Sequence, residues 1–292
     1  MPGNRSPDTI SRLWLPRPTL ASCVRAALVR DTRAAALDDA QRLDHLPSTP
    51  LCTLFWQFEG TAELLPPGAP ESLAVPRERL EPRAMLLGPS TRPSMGWHAG
   101  PCHGLMVLFT SDALHRLTGL EVAAWVNRRA DVRAALPADW VQMCETVLAE
   151  TDDDARVARV QDFLEPRWAA VRPALPLQAH RYLDWAHSLA THAALSGAGR
   201  SLRQVERRVK RWAGLPMRSL LGMGRAELAF FNGMADAAER GAPNWAELAD
   251  ASGYADQSHL CREVRRVTGF SPEELYRRIQ EDEGFWSYRL WA

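Results

Sequence analysis

The sequence predicts an α+β protein of two domains. A small β-barrel or sandwich with trailing helices comes first. An all-α domain with two helix-turn-helix units joined by a long helix follows. Three observations carry this reading. Short apolar runs at period two, punctuated by Gly and Pro, fill the first half; helical periodicity takes over near residue 111; and the second half repeats itself at an offset of 55 residues.

Length and composition bound the answer. The 292 residues suit two domains of about 100–180 residues each. With 46% apolar and 24% charged residues the chain is core-forming, which excludes disorder throughout. No run approaches the ~18 apolar residues of a membrane helix. Residues 1–9 lack the apolar stretch of a secretory signal, so a cytoplasmic protein is expected. The 35 basic and 35 acidic side chains cancel, so net charge names no partner. Lys210 is the single lysine, and Ile10 and Ile279 are the only isoleucines, a bias of GC-rich, bacterial coding sequences. Cys23, Cys52, Cys102, Cys144 and Cys261 are scattered and form no C-x-x-C pair. That argues for free thiols in a reducing compartment, against a disulfide framework or zinc module.

In chain order, 50–58 reads as a strand with Cys52, Leu54, Trp56 and Phe58 on one face. Strands follow at 83–87, 94–98 and 102–109, separated by Gly-Pro turns, a spacing that suits a small sandwich or barrel. A short helix is expected at 111–117. Longer ones are expected at 138–150 and 153–165, the last capped by Asp152 and its neighbours and ended by Pro166. These elements make a domain of 1–172. The Pro-rich 173–177 reads as a linker, 178–280 as the all-α domain and 281–292 as an aromatic tail.

The repeat sets Ser201 on Asp256, Val205 on Leu260, Arg207 on Arg262, Val209 on Val264, Lys210-Arg211 on Arg265-Arg266, and Gly214 on Gly269. Each copy is a capped helix of about 13 residues ending in Gly, with a buried stripe at i, i+4, i+7 and a polar, basic opposite side. Ahead of the second copy, a helix at 245–252 and a turn at 253–255 complete a helix-turn-helix pattern; ahead of the first, 196–199 is a less regular counterpart. The connector 218–239 would span about 33 Å, close to one turn of B-DNA at about 34 Å. Residues 200–225 carry eight basic side chains against Glu206 alone.

These residues resemble the AraC/XylS family of bacterial transcription regulators. ADASGYADQSHLCREVRRVTGFSPEELYR, 249–277, is similar to that family's second helix-turn-helix, and SLRQVERRVKRWAG, 201–214, to its first recognition helix. The resemblance covers roughly 178–280. Residues 82–93, 102–109 and 114–120 resemble the variable sensory domain of one branch, which implies a cupin-like β domain. The chain departs from the pattern at Val209 and Val264, where Phe is common, and at Gly222, Gly224 and Gly233, expected to weaken the connector by up to ~1 kcal/mol each.

The resemblance implies a double-stranded DNA partner, and the side chains suit one. Arg203, Glu206 and Arg207 on the first helix, and Gln257, Ser258, His259 and Arg262 on the second, are expected to face bases or backbone. Arg pairs with guanine and Gln with adenine. Lys210, Arg211, Arg218, Arg265 and Arg266 are assigned to phosphates. The alternative is a solvated charged face, or a surface for an acidic protein. A small-molecule effector, a homodimer and, for an activator, RNA polymerase complete the expected partners, with no membrane.

No catalytic residue, metal or cofactor is expected. His98, Cys102 and His103 have metal-ligand chemistry but lack a further ligand at a diagnostic spacing. With His98 and His103 as ligands, the rival reading is a cupin-type metalloenzyme tethered to nucleic acid. A DNA-alkylation repair protein would need a thiol cluster that the scattered cysteines do not offer. Trp56, Phe58, Trp97 and Met106 are either an effector pocket inside the β domain or its core. The helices 138–150 and 153–165 either pair with a second subunit or pack on their own sheet. The apolar tail 284–292 should dock on the protein's own body.

Overall fold

The computed structural model describes residues 6, 8–72, 74–173, 181–196 and 201–291. Apart from Pro173, the expected linker lies outside them, as does the turn at 197–199. Among the described residues there are ten strands: β1 (Ile10–Trp14), β2 (Val24–Asp31), β3 (Leu43–Leu46), β4 (Cys52–Glu59), β5 (Ala62–Leu64), β6 (Glu78–Arg79), β7 (Ala84–Leu87), β8 (Ser94–His98), β9 (His103–Phe109) and β10 (Arg129–Asp131). Helices α1 (Ser111–Thr118), α2 (Val132–Ala135), α3 (Ala138–Ala149) and α4 (Asp153–Val171) follow. Beyond them lie α5 (Tyr182–Leu195), α6 (Leu202–Ala213), α7 (Met217–Arg240), α8 (Trp245–Ala251), α9 (Gln257–Thr268), α10 (Pro272–Glu281) and α11 (Trp286–Arg289).

The strands form two open antiparallel sheets, ordered β1-β2-β9-β4-β7-β10 and β3-β8-β5-β6. This corrects the expectation of a barrel: β1 pairs only with β2 and β10 only with β7, so the first sheet does not close. One face of that sheet carries Val29, Leu54, Trp56, Leu105 and Val107, packed with Leu114 of α1, Trp140 and Cys144 of α3, and Leu164 and Trp168 of α4. Each large side chain buried there contributes roughly 1.5–3 kcal/mol. The apolar sides of α3 and α4 are thus used on their own sheet.

The other face, Ala26, Leu28, Met106 and Leu108, is covered by Trp286, Leu290 and Trp291 of the C-terminal tail. Strand β2 is therefore buried on both faces, and no period-two alternation marks it in the sequence. Its two arginines are paired: Arg25 with Glu227 at 2.8 Å and Arg30 with Glu283 at 2.6 Å.

Helix α4 runs through Pro166 to Val171, where sequence reasoning ended it. Pro removes one intrahelical donor, but Leu164 and Trp168, both fully buried, hold the helix to the core on either side. The glycines of α7, expected to weaken the helix, have a packing reason. They sit where other elements approach: a Cβ on Gly224 would lie 2.7 Å from the Leu183 side chain of α5, and one on Gly233 2.9 Å from the Trp245 ring of α8. The propensity lost there permits close helix packing. No described helix is long and apolar enough to cross a membrane.

The two halves of the chain are joined by polar contacts as well as by the tail. Trp185 Nε1 donates to the buried Asp112 at 2.8 Å, the Ser48 amide donates to Val267 O at 2.8 Å, and the hydroxyls of Thr49 and Tyr182 are 3.2 Å apart. Asp44 accepts from Trp286 Nε1 at 2.9 Å while its other oxygen meets His98 Nε2 at 3.1 Å.

Candidate nucleic-acid interface

Helices α6 and α9 each have 12 residues and each stop at a glycine in the left-handed region, Gly214 at φ 79° and Gly269 at φ 92°. A side chain would be strained at either position. At the start of α9 the Asp256 carboxylate accepts from the His259 amide at 2.7 Å. Ser201 precedes α6 in extended conformation without a side-chain cap bond. Ahead of α9, Asn244 caps α8 by accepting from the amides of Ala246 and Glu247, and the chain turns at Gly253, φ 72°. Ala249, 1% exposed, sits at the crossing of α8 with α9, and its carbonyl accepts from Tyr254 N at 2.9 Å.

The inner sides of both helices are fixed by packing. Val209 and Ala213 of α6 lie with Trp185, Leu189, Leu220 and Met223. Leu260 and Val264 of α9 lie with Tyr254, Phe270, Ile279, Phe285 and Tyr288. The aromatic volume absent at Val264 is supplied in this cluster by the tail.

The outer sides carry the basic residues. Arg203, Arg207, Lys210 and Arg211 of α6, Arg218 of α7, and Gln257, Ser258, Arg262, Arg265 and Arg266 of α9 are exposed. Two of the cations are neutralised internally: Arg211 pairs with Glu121 at 3.0 Å, and Arg266 with Glu263 at 2.9 Å, which holds the Glu263 carboxyl below its usual range. Among the described residues Arg203, Arg207, Lys210, Arg218, Arg262 and Arg265 make no ion pair. A row of unpaired guanidinium and ammonium groups on two helices is suited to phosphate oxygens and guanine edges.

Two residues expected to face bases or backbone also make contacts within the chain. Glu206 accepts from the Met217 amide at 3.0 Å, so its carboxylate serves the first turn of α7. His259 is half-buried, with its ring edge-on to Tyr254 at 5.2 Å between centroids. Neither contact is visible in the repeat, because both partners lie outside it.

Of the four side chains weighed as an effector pocket or core, Trp56 and Phe58 share one core cluster, while Trp97 and Met106 lie in two others. Trp56 is fully buried, with Nε1 donating to Cys144 O at 3.3 Å. Phe58 lies under the Arg156 guanidinium at 3.5 Å, Trp97 belongs to the second sheet, and Met106 faces the tail. His98 and His103 stand on different sheets, His98 on Asp44 and His103 on Asp153 at 3.0 Å. The described residues contain no group of three or more His, Cys, Asp or Glu able to hold a metal ion.

A cavity of about 120 Å³ lies elsewhere, between α7, α9, α10 and the tail, and reaches Arg25 of β2 and Ser48. Val264 and Val267 in its wall belong to the repeated stripe of α9, whereas Arg25, Ser48 and Tyr288 belong to no motif.

No protein-family model matches the chain, and no curated protein matches it. Solved structures do match. Unsaturated-fatty-acid-bound wild-type ToxT from Vibrio cholerae strain SCE256 is 12% identical, with 92% of this chain and 94% of that one covered and a TM-score of 0.37. The AraC-like transcriptional activator CuxR is 12% identical over 90% of this chain and 89% of its own, at a TM-score of 0.26. PhpD with cadmium is 16% identical over 67% of this chain and 44% of its own, at 0.20. The likeness to the first two spans most of the chain; the functional assignment rests on this chain's own residues.

Proposed function

We propose that this chain is a sequence-specific DNA-binding transcription regulator of the AraC/XylS kind, in which α6 and α9 are the two reading helices of paired helix-turn-helix units. One observation supports it above the others. Two helices of equal length, each stopped by a left-handed glycine, bury one side and expose basic residues on the other, Arg203, Arg207, Lys210, Arg262 and Arg265 among them without an ion pair among the described residues. The intervening α7 has 24 residues, about 36 Å of helix, which matches one turn of B-DNA. That length suits two successive major grooves on one face of a duplex.

In this reading Arg207 and Arg262, equivalent in the repeat, are the first candidates for guanine contacts. Arg203, Gln257 and Ser258 are further candidates for base or backbone contacts. Lys210, Arg218 and Arg265 neutralise phosphates, and Arg211 and Arg266 do so after exchanging Glu121 and Glu263 for DNA. The first half of the chain, fastened to both reading helices, would bias their arrangement through an effector. Cytoplasmic location and recruitment of RNA polymerase follow from the same reading.

The test is retention of genomic fragments by the full-length chain at two salt concentrations, alongside Arg207→Ala and Arg262→Ala. A few fragments sharing a bipartite site, lost or relaxed in the variants, are expected. Sequence-blind retention that salt abolishes would reduce the interface to phosphate contact and overturn base reading.

A further inference from the structure

Helices α6 and α9 are both held at their C-terminal ends by loops of the first half of the chain. Gly214, which stops α6, lies against the 121–128 loop: a Cβ built on it would be 3.0 Å from Val126 and 3.1 Å from Val122. Arg211, in the last turn of α6, pairs with Glu121 of that loop at 3.0 Å. In the last turn of α9 the Val267 carbonyl accepts from the Ser48 amide at 2.8 Å. Helix C-termini leave such carbonyls without an intrahelical partner, so the 47–51 loop supplies a cap.

The two anchoring loops are tied together by a third, 88–93. Thr49 and Ser90 exchange backbone hydrogen bonds, at 3.2 Å from the Thr49 amide and 2.8 Å from the Ser90 amide. The Asn127 amide donates to Pro89 O at 2.8 Å. The Asn127 side chain completes the link: Oδ1 accepts from the Thr91 amide at 2.8 Å, and Nδ2 donates to Thr91 Oγ1 at 2.9 Å. Gly88 lets the loops meet, since a Cβ there would overlap the Trp125 carbonyl oxygen. Among the described residues Asn127 is also the one non-glycine with positive φ, at 57°. Such a backbone persists where the surrounding structure over-determines it.

We propose that these three loops form a platform, with Asn127 as its positioning residue, which fixes the separation of α6 and α9 and makes the protein selective for the spacing between the two halves of its DNA site.

Both anchors sit at helix C-termini and leave the N-terminal halves free. Those halves carry Arg203, Arg207, Gln257, Ser258 and Arg262, and the N-terminal part of a recognition helix is what meets base edges. The covalent link, α7, is an imperfect ruler by itself, because Gly222, Gly224 and Gly233 lower its helix propensity. In B-DNA one inserted base pair moves the second half-site by about 3.4 Å and turns it by about 35°. A fixed pair of helices cannot follow both changes. The selectivity for spacing rests on the DNA-reading proposal; the fixed separation does not.

Two measurements on the full-length chain test this, with Asn127→Gly and Asn127→Asp beside the parent. Glycine tolerates the positive φ but deletes both Thr91 bonds, whereas aspartate keeps an acceptor for the Thr91 amide. The first measurement is made without DNA. Double electron–electron resonance reads the distance between spin labels on Leu202→Cys and Gln257→Cys, exposed positions that are equivalent in the repeat. Cys261→Ser removes the half-buried thiol, and the remaining cysteines are buried. A narrow distribution is expected in the parent and in Asn127→Asp, and a broader one in Asn127→Gly. The second measurement is retention of the recovered bipartite fragment with one base pair added to or removed from its spacer. The parent and Asn127→Asp should lose about tenfold or more in affinity, and Asn127→Gly only about two- to threefold. Base preference within each half should stay unchanged in all three, which a merely unstable protein would not keep. An equally narrow distribution in Asn127→Gly overturns the platform and leaves α7 and its packing as the ruler. A parent indifferent to spacer length overturns the selectivity. A broadened distribution in Asn127→Gly with no selective retention by the parent upholds the platform and removes the regulator.

Discussion

Arg30 and Glu283, 253 positions apart, form an ion pair at 2.6 Å with side chains 6% and 2% exposed. Glu283 also accepts from the Ser6 amide and the Thr9 hydroxyl. The pair fastens the tail to the middle of the chain's largest sheet, which the tail otherwise covers with Trp286, Leu290 and Trp291. Removing one partner leaves a buried charge unpaired, at roughly 3–5 kcal/mol. Glu283→Ala should therefore lower stability in urea unfolding by that amount. Arg30→Met combined with Glu283→Leu should recover most of the loss. A single-variant loss below ~1 kcal/mol would mean that the pair is reached by water.

Gly284 follows directly. A Cβ at this position would overlap the Leu43 carbonyl oxygen, which is backbone and cannot swing away. Gly284→Ala should lift the tail from β3 and expose Phe285, which stacks on His45 at 4.5 Å. The expected readout is a fall of roughly 1–3 kcal/mol, with a change in Trp286 fluorescence. A variant that melts with the parent would show that the tail does not hold this seat.

Asp112 links pH to the junction of the two halves. It is buried and accepts from Trp185 Nε1, while its Oδ2 has no partner. Burial holds the carboxyl above its ordinary range. Because the folded value lies above the unfolded one, this group favours folding while protonated, and the contribution is lost as pH rises through the folded value. Asp112→Asn should thus be more stable than the parent at pH 8, with the advantage gone below about pH 3.9. Stability curves against pH for the two proteins check this; a variant less stable at every pH would show that the ionised carboxylate is needed.

Glu206, Arg207 and Arg262 separate positioning from reading. Loss of the Glu206 contact with the Met217 amide should cost about 1 kcal/mol of stability, as for a lost helix cap. Glu206→Ala should therefore melt lower yet keep the sequence preference of the parent. Arg207→Ala and Arg262→Ala should melt with the parent and relax preference at one half-site each, by roughly 1–3 kcal/mol per contact. A Glu206→Ala protein with altered preference would return that carboxylate to the bases.

Much of the architecture was legible because its signals are local. Helices α6 and α9, their glycine stops and their cationic sides stand in the sequence as a repeat, and β4, β8 and β9 as alternation between Gly and Pro turns. Helix α4 was misjudged at Pro166, since local propensity cannot weigh Leu164 and Trp168 packed on both sides of it. Strand β2 was missed because burial on both faces removes alternation, and because its arginines find Glu227 and Glu283 only after folding.

The sequence by itself determined the repeated basic helices and their resemblance to a family of regulators, since helix periodicity, capping and glycine stops act within a few residues. Tertiary structure alone decided which cations stay unpaired, that Trp97 and Met106 part from the core cluster shared by Trp56 and Phe58, and that the tail seals the sheet. It also decided that the hydroxyls of Ser48 and Tyr288 are buried without a hydrogen-bond partner among the described residues. The physical reason is common to these cases: pairing, burial and hydrogen-bond satisfaction depend on groups distant along the chain, and become defined only when packing brings them together.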